Sequence, residues 1–168
     1  MKKIFSILLL AITLSLVLTS CGLDVPRPEI KTGEFNFSVT YEYGGETKTV
    51  TGVYVCEYEG IDWAIDSDFH RDWSGYIKDG KMDGIIKLGD AEDGGEVQLN
   101  LHFNPDHFMG DEFIEGEEPF EAWISVVFVD GEGVRIEHNA DVVAELYGAR
   151  IIDYEYDEPI SNSFSLFN

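Results

Sequence analysis

The stretch Phe35-Asn36-Phe37-Ser38-Val39-Thr40-Tyr41-Glu42-Tyr43, followed by Gly44-Gly45 and a threonine- and valine-rich run over 46–58, decides the fold class. Side chains alternate across a strand, so Phe35, Phe37, Val39, Tyr41 and Tyr43 share one face while Asn36, Ser38, Thr40 and Glu42 share the other. Gly44-Gly45 suits a two-residue hairpin turn, which needs positive φ at both positions. Pairing Tyr43 with Glu46 sets Val39 opposite Val50, Phe37 opposite Gly52 and Phe35 opposite Tyr54. On that register Cys56 points inward with Tyr54 and Tyr58, which makes it a small buried hydrophobe and not a reactive thiol.

Further strand patterns follow at short intervals. Residues 73–78 and 84–88 predict a hairpin across Asp79-Gly80-Lys81. Beyond an acidic turn over 89–95, Val97, Leu99, Leu101 and Phe103 alternate with Gln98, Asn100 and His102. The run 122–129 is apolar on both faces, includes Trp123, and predicts a central strand covered on both sides. Gly131 and Gly133 turn the chain into a strand over 134–137. One helix is predicted, capped by Asn139, with Val142, Val143, Leu146 and Tyr147 on its apolar side and Gly148 at its end. The chain then returns as a strand with Ile152, Tyr154 and Tyr156 on one face.

These patterns predict an all-β domain, an antiparallel two-sheet β-sandwich with one short helix near the C-terminus. A closed, lipocalin-like meander barrel fits the same alternation. About 135 residues follow position 33, the size of one domain able to bury roughly two-thirds of its unfolded surface.

Ahead of that domain, Lys2 and Lys3 precede a mostly apolar run from Ile4 to Leu18, then Thr19-Ser20-Cys21-Gly22. This is the three-part plan of a secretory signal, and the apolar run is short for a membrane span. Leu18-Thr19-Ser20-Cys21 resembles the lipobox of bacterial lipoproteins, in which signal peptidase II cuts before the cysteine. The resemblance implies that residues 1–20 are removed, that the sulfur of Cys21 carries a diacylglyceryl group, and that the rest lies in the cell envelope outside the cytoplasm. Residues 21–33, with Pro26 and Pro28, then predict a lipidated cysteine and flexible tether, and 34–168 a single β-rich domain. The body also looks like the small uncharacterised lipoproteins of bacterial genomes, without a motif to carry that likeness.

Only two cysteines occur, so acylation of Cys21 leaves Cys56 without a disulfide partner. Removing residues 1–20 takes out Lys2 and Lys3 and no acid, which moves the formal charge from −22 to −24. Such a field argues against nucleic acid and against any grip on anionic head groups by the protein surface. Membrane attachment is therefore expected through the lipid alone, with a glycan or a protein as the further partner.

The densest polar constellation spans 60–73. Asp62, Asp66, Asp68 and Asp72 are hard oxygen donors, and Trp63, His70, Arg71 and Trp73 stand beside them. Asp66, Asp68 and Asp72 form a candidate calcium site, although Arg71 and Ile77 occupy the positions where an EF-hand loop needs glycine and glutamate. Arg71 is equally suited to neutralise Asp68 or Asp72, and a solvated acidic loop accounts for the same residues. No cofactor other than calcium is suggested. Trp63, His70 and Trp73 form a candidate ligand site in which an exposed indole would stack on a sugar ring, unless both rings fold inward. A second long loop, 104–119, carries His107, Phe108, Met109 and Phe113 among acids, as a mobile segment or as cover for a sheet edge.

His70, His102, His107 and His138 show no paired metal-ligand spacing, and no G-x-S-x-G elbow, phosphate loop or dinucleotide fingerprint occurs. The sequence thus predicts a membrane-anchored, non-catalytic binding or interaction domain. Its rivals are a carbohydrate-binding module, a barrel-type carrier of a small apolar ligand, and an enzyme that acts on envelope polysaccharide through paired carboxylates.

Overall fold

The computed structural model describes residues 25–63, 69–78, 80, 84–111, 118–131 and 133–166. In chain order the elements are β1 (Arg27–Pro28), β2 (Thr32–Tyr43), β3 (Glu46–Trp63), β4 (Phe69–Ile77), β5 (Ile85–Asp90), β6 (Glu96–Phe103) and α1 (Pro105–Phe108). They continue with β7 (Phe120–Asp130), β8 (Gly133–Glu137), α2 (Ala140–Tyr147), β9 (Ala149–Tyr156) and β10 (Phe164–Ser165).

The β2–β3 hairpin forms as its sequence pattern requires. Tyr43 pairs with Glu46, Val39 with Val50, Phe37 with Gly52 and Phe35 with Tyr54. Gly44 and Gly45 take φ of 61° and 77°, the left-handed region that a two-residue hairpin demands and that side chains resist. Phe35, Phe37, Val39, Tyr41, Tyr54 and Cys56 are all buried on the shared inner face.

Two four-stranded antiparallel sheets build the sandwich, ordered β4-β3-β2-β9 and β5-β6-β7-β8. The strands do not close into a barrel, because β9 and β8 end their own sheets. Aromatic rings from both sheets meet between them. Phe37 lies 5.0 Å from Phe103 and 5.6 Å from Phe120, and Tyr54 stacks on Phe103 at 4.2 Å. Val97, Leu99 and Leu101 of β6 and Ile124, Val126 and Phe128 of β7 complete the inner layer.

Three expectations are corrected. Residues 73–78 and 84–88 do not pair with each other: Ile77 lies opposite Tyr54 in the first sheet and Ile85 opposite Asn100 in the second. A glycine turn between two apolar runs looks the same whether the strands fold together or part company. Here the long β3 offers an edge that β4 takes, and β5 continues into the other sheet. Second, β7 is central in its sheet but covered on one face only. Its outward Trp123 and Val129 are 39% and 76% exposed. Third, the polar stretch 60–73 is largely strand. β3 runs on to Trp63 and β4 starts at Phe69, after an irregularity at Tyr58 to Gly60.

The loop over 104–119 partly folds into α1, capped by the Asn104 side chain on the His107 N–H. Phe108 and Met109 are fully buried there, so these residues close one end of the core. The predicted C-terminal helix is α2. Asn139 accepts from the N–H groups of Asp141 and Val142, and Gly148 ends the helix at φ 61°. Val143 alone of its apolar residues is buried, while Leu146 is exposed. Tyr154 and Tyr156 of β9 set their rings 5.6 and 5.8 Å from Phe120, whereas Ile152 falls at a bulge and is exposed.

Leu99 sits on the inner face of a central strand with no exposure. Leu99→Ala is expected to cost about 2–5 kcal/mol of unfolding free energy in urea titration, because the sheets cannot collapse onto the space left behind.

Candidate functional site

The residues singled out in the 60–73 stretch divide between two faces of the first sheet. His70 and Asp72 are exposed on β4, opposite Asp62 and Gly60, while Arg71 and Trp73 turn inward. Trp63 lies at the end of β3, and its side chain is outside the described residues. Asp66 and Asp68, like Cys21 and Phe113, also lie outside them. Among the described residues no group of three or more His, Cys, Asp or Glu is placed to hold a metal ion.

Trp73 is 6% exposed, so it offers no platform for a ligand. Its indole N–H donates to Oδ2 of Asp111 at 2.6 Å. Asp68 lies outside the described residues, and Arg71, read as a neutraliser of Asp68 or Asp72, holds Asp111. Its Nε reaches both carboxylate oxygens at 2.7 and 2.6 Å, and Nη2 also bonds Oδ1. Nη1 donates to the Pro26 carbonyl at 3.2 Å, and the guanidinium lies 4.3 Å from the Phe164 ring centroid. The Asp111 side chain is 1% exposed. A carboxylate buried so completely needs its oxygens satisfied inside the protein, and the bidentate guanidinium and the indole N–H supply the donors.

This clamp fastens both chain ends to β4 and to the segment after α1. Residues 25–33, within the stretch read as a tether, are held against the domain. Arg27 and Pro28 pair with Ser165 and Phe164, and Pro28 is buried. The Ile30 N–H donates to Oδ1 of Asn162, whose Nδ2 returns a bond to the Ile30 carbonyl.

Cys56 has no exposed surface and stands as a free thiol. Burial, with the negative charge of Asp106 adding to it, pushes the thiol up to about 12. That environment suppresses the thiolate on which nucleophilic or redox chemistry depends.

The largest group of exposed apolar side chains among the described strands lies on the outer face of the second sheet. Its side chains follow from strand alternation, since Val97, Leu99, Leu101, Ile124, Val126 and Phe128 all point inward. Across the sheet, one row sets Ile85 beside Asn100 and Trp123, and the next sets Lys87 beside Gln98 and Ser125. Toward β8, Val127 pairs with Ile136 and Val129 with Val134. Ile85, Trp123, Val129, Val134 and Ile136 are all exposed large apolar residues. So many on one sheet face exceed the scattered apolar exposure of an ordinary surface.

The polar half of the face is ordered by its own bonds. Asn100 Nδ2 donates to Oγ of Ser125 at 2.9 Å. Gln98 Nε2 donates to Glu96, and Lys87 bridges Glu96 and Asp90 at 2.7 Å each. The lysine holds the Glu96 carboxyl below its ordinary value. The His102 ring lies 6.3 Å from Trp123, and His102 pairs across the strands with Glu121. Trp123 was hidden in the sequence inside a run apolar on both faces, which reads as buried. The one signal was its strand neighbours: Gln98, Asn100 and His102 mark the opposing positions as outward.

Two variants test these environments. Asp111→Asn leaves Arg71 short of its counter-charge and is expected to cost about 3 kcal/mol in urea unfolding, whereas the exposed Asp72→Asn changes little. For Cys56, the unfolded thiol ionises near 9.0 and the folded one near 12. The thiol therefore leaves stability unchanged below the lower value and lowers it as pH rises between the two. The fall in the urea midpoint from about pH 8 to about pH 10.5 is expected to be smaller in Cys56→Ala than in the parent chain.

The chain matches no family model, no curated protein and no solved structure.

Proposed function

We propose that this protein is a lipid-anchored lipoprotein of the bacterial envelope whose β-sandwich is a non-catalytic binding module, with the outer face of β5–β8 as its binding surface. The observation that carries this reading is the exposed, half-apolar and half-amide face around Trp123. Exposed apolar patches of that kind mark interaction sites in soluble domains.

The anchor supplies the rest. Two acyl chains on Cys21 give the attachment that an acidic surface cannot provide, each buried methylene contributing about 0.8 kcal/mol. The chain from Cys21 to Pro26 spans at most about 18 Å when fully extended. Because Pro26 is already bound by Arg71, the domain stays close to its membrane and does not swing on a long leash. Against the carrier reading, the space between the sheets is filled by Phe35, Phe37, Tyr54, Phe108 and Phe120. Against a thiol enzyme, Cys56 is buried and protonated.

Cys21→Ser is expected to move the protein from the membrane fraction to the soluble extract, and full membrane retention overturns the anchor. For the face, hydroxyl-radical labelling on intact cells is expected to modify Trp123 and Ile136 less than in the purified protein. Equal labelling in both settings overturns the binding-surface reading.

A further inference from the structure

We infer that the Trp123 half of this face is a site for a neutral glycan chain, with the indole as stacking platform and Asn100, Gln98, His102 and Glu121 as its hydrogen-bonding rim. The inference rests on the binding-surface reading and names its ligand.

Trp123 is 39% exposed on an interior strand of the second sheet, so part of a rigid apolar plate, the indole, meets solvent there. The C–H face of a pyranose ring is the natural partner for such a plate, and its hydroxyls then project sideways at the height of the neighbouring side chains. Those neighbours are two amides, an imidazole and one carboxylate. Asn100 spends its Nδ2 on Ser125, which fixes the amide plane and leaves Oδ1 as an acceptor. Gln98 spends its Nε2 on Glu96 in the same way. His102 stands exposed beside the indole, and Glu121 adds an exposed carboxylate across the strand pair. Strand spacing sets adjacent columns about 4.8 Å apart and successive outward residues about 6.6 Å apart, within reach of hydroxyls on one or two sugar rings.

Charge selects the class of glycan. Lys87, the cation of this row, is held between Asp90 and Glu96, so among the described residues the row around Trp123 offers no unpaired lysine or arginine to an anionic polymer. The whole chain carries a formal −22, which repels uronates and phosphates at longer range. A neutral polyol meets neither penalty. The aliphatic residues toward β8 would suit a protein partner instead, but they lie in other rows than the amides. An acidic recess of about 480 Å³ beside Tyr43 and Tyr147 competes poorly. Its Asp90 and Asp93 are already engaged by Lys87 and by the Tyr147 hydroxyl.

The test is calorimetric titration of the full chain in detergent with cellohexaose, chitohexaose and mannohexaose, and with polygalacturonate as the anionic control. At least one neutral oligosaccharide is expected to bind and polygalacturonate is not. Trp123→Ala is expected to weaken binding about tenfold or more, with an unchanged melting temperature as proof of folding. Trp123→Phe should retain part of the affinity, and Ile152→Lys, exposed on β9 of the other sheet, should retain all of it. Binding by none of the three, equal binding in Trp123→Ala, or loss through Ile152→Lys alone overturns the inference. Protection of Trp123 on cells without any sugar binding would leave the binding surface standing and assign it to a protein, whereas loss of both would remove both.

Discussion

The bidentate contact between Arg71 and Asp111 is the constraint on which the ends of this molecule depend. Asp111 is nearly inaccessible, so its charge has to be met inside the protein. One guanidinium meets it, with the Trp73 indole as a second donor. The same guanidinium also holds the Pro26 carbonyl and lies over Phe164. Four distant parts of the chain are thus fixed by a single planar group whose donors cannot be shared differently. Lysine, a point charge with no fork, would satisfy the carboxylate without reaching the Pro26 carbonyl and the Phe164 ring together.

The clamp and the aromatic core act at different levels. Burial of rings between the sheets supplies the driving force for the sandwich. The clamp adds placement: it pins the N-terminal segment to the end of the domain where β2 begins, while the Gly44-Gly45 turn and α2 lie at the other. An acyl anchor at Cys21 would therefore tie the domain to a membrane by one end, leaving the sheet faces open sideways. Among the described residues nothing packs over the outer face of β5–β8, and its apolar side chains stay exposed. A chain this acidic can tolerate that exposure, since like-charge repulsion between copies opposes the association that such a patch invites.

Much of the fold was legible in local pattern. The 35–43 alternation, two glycines at a positive-φ turn and the inward Cys56 fixed one hairpin to the residue, because register and face are tied by a period of two. Asn139 and Gly148 bounded α2 for reasons equally local, an orphaned N–H and a left-handed cap. The candidate site was far less legible. Trp73 stands among acids and Trp123 inside an apolar run, yet the first is buried and the second exposed. What separates them is a partner: Asp111, far away in the chain, takes the Trp73 N–H, whereas Trp123 lies on the outer face beside His102 and keeps 39% of its surface exposed.

Sequence by itself therefore determined the β class, the first hairpin, helix α2 and the excess of acid. Each is set by neighbours within a few residues or by composition. Tertiary structure alone decided which edges β4 and β5 join, that Arg71 belongs to Asp111, and that the apolar run of β7 has an uncovered side. Those outcomes depend on contacts between residues distant in sequence. Alternation says that a strand has two faces, but only the packing of the second sheet decides which of them meets water.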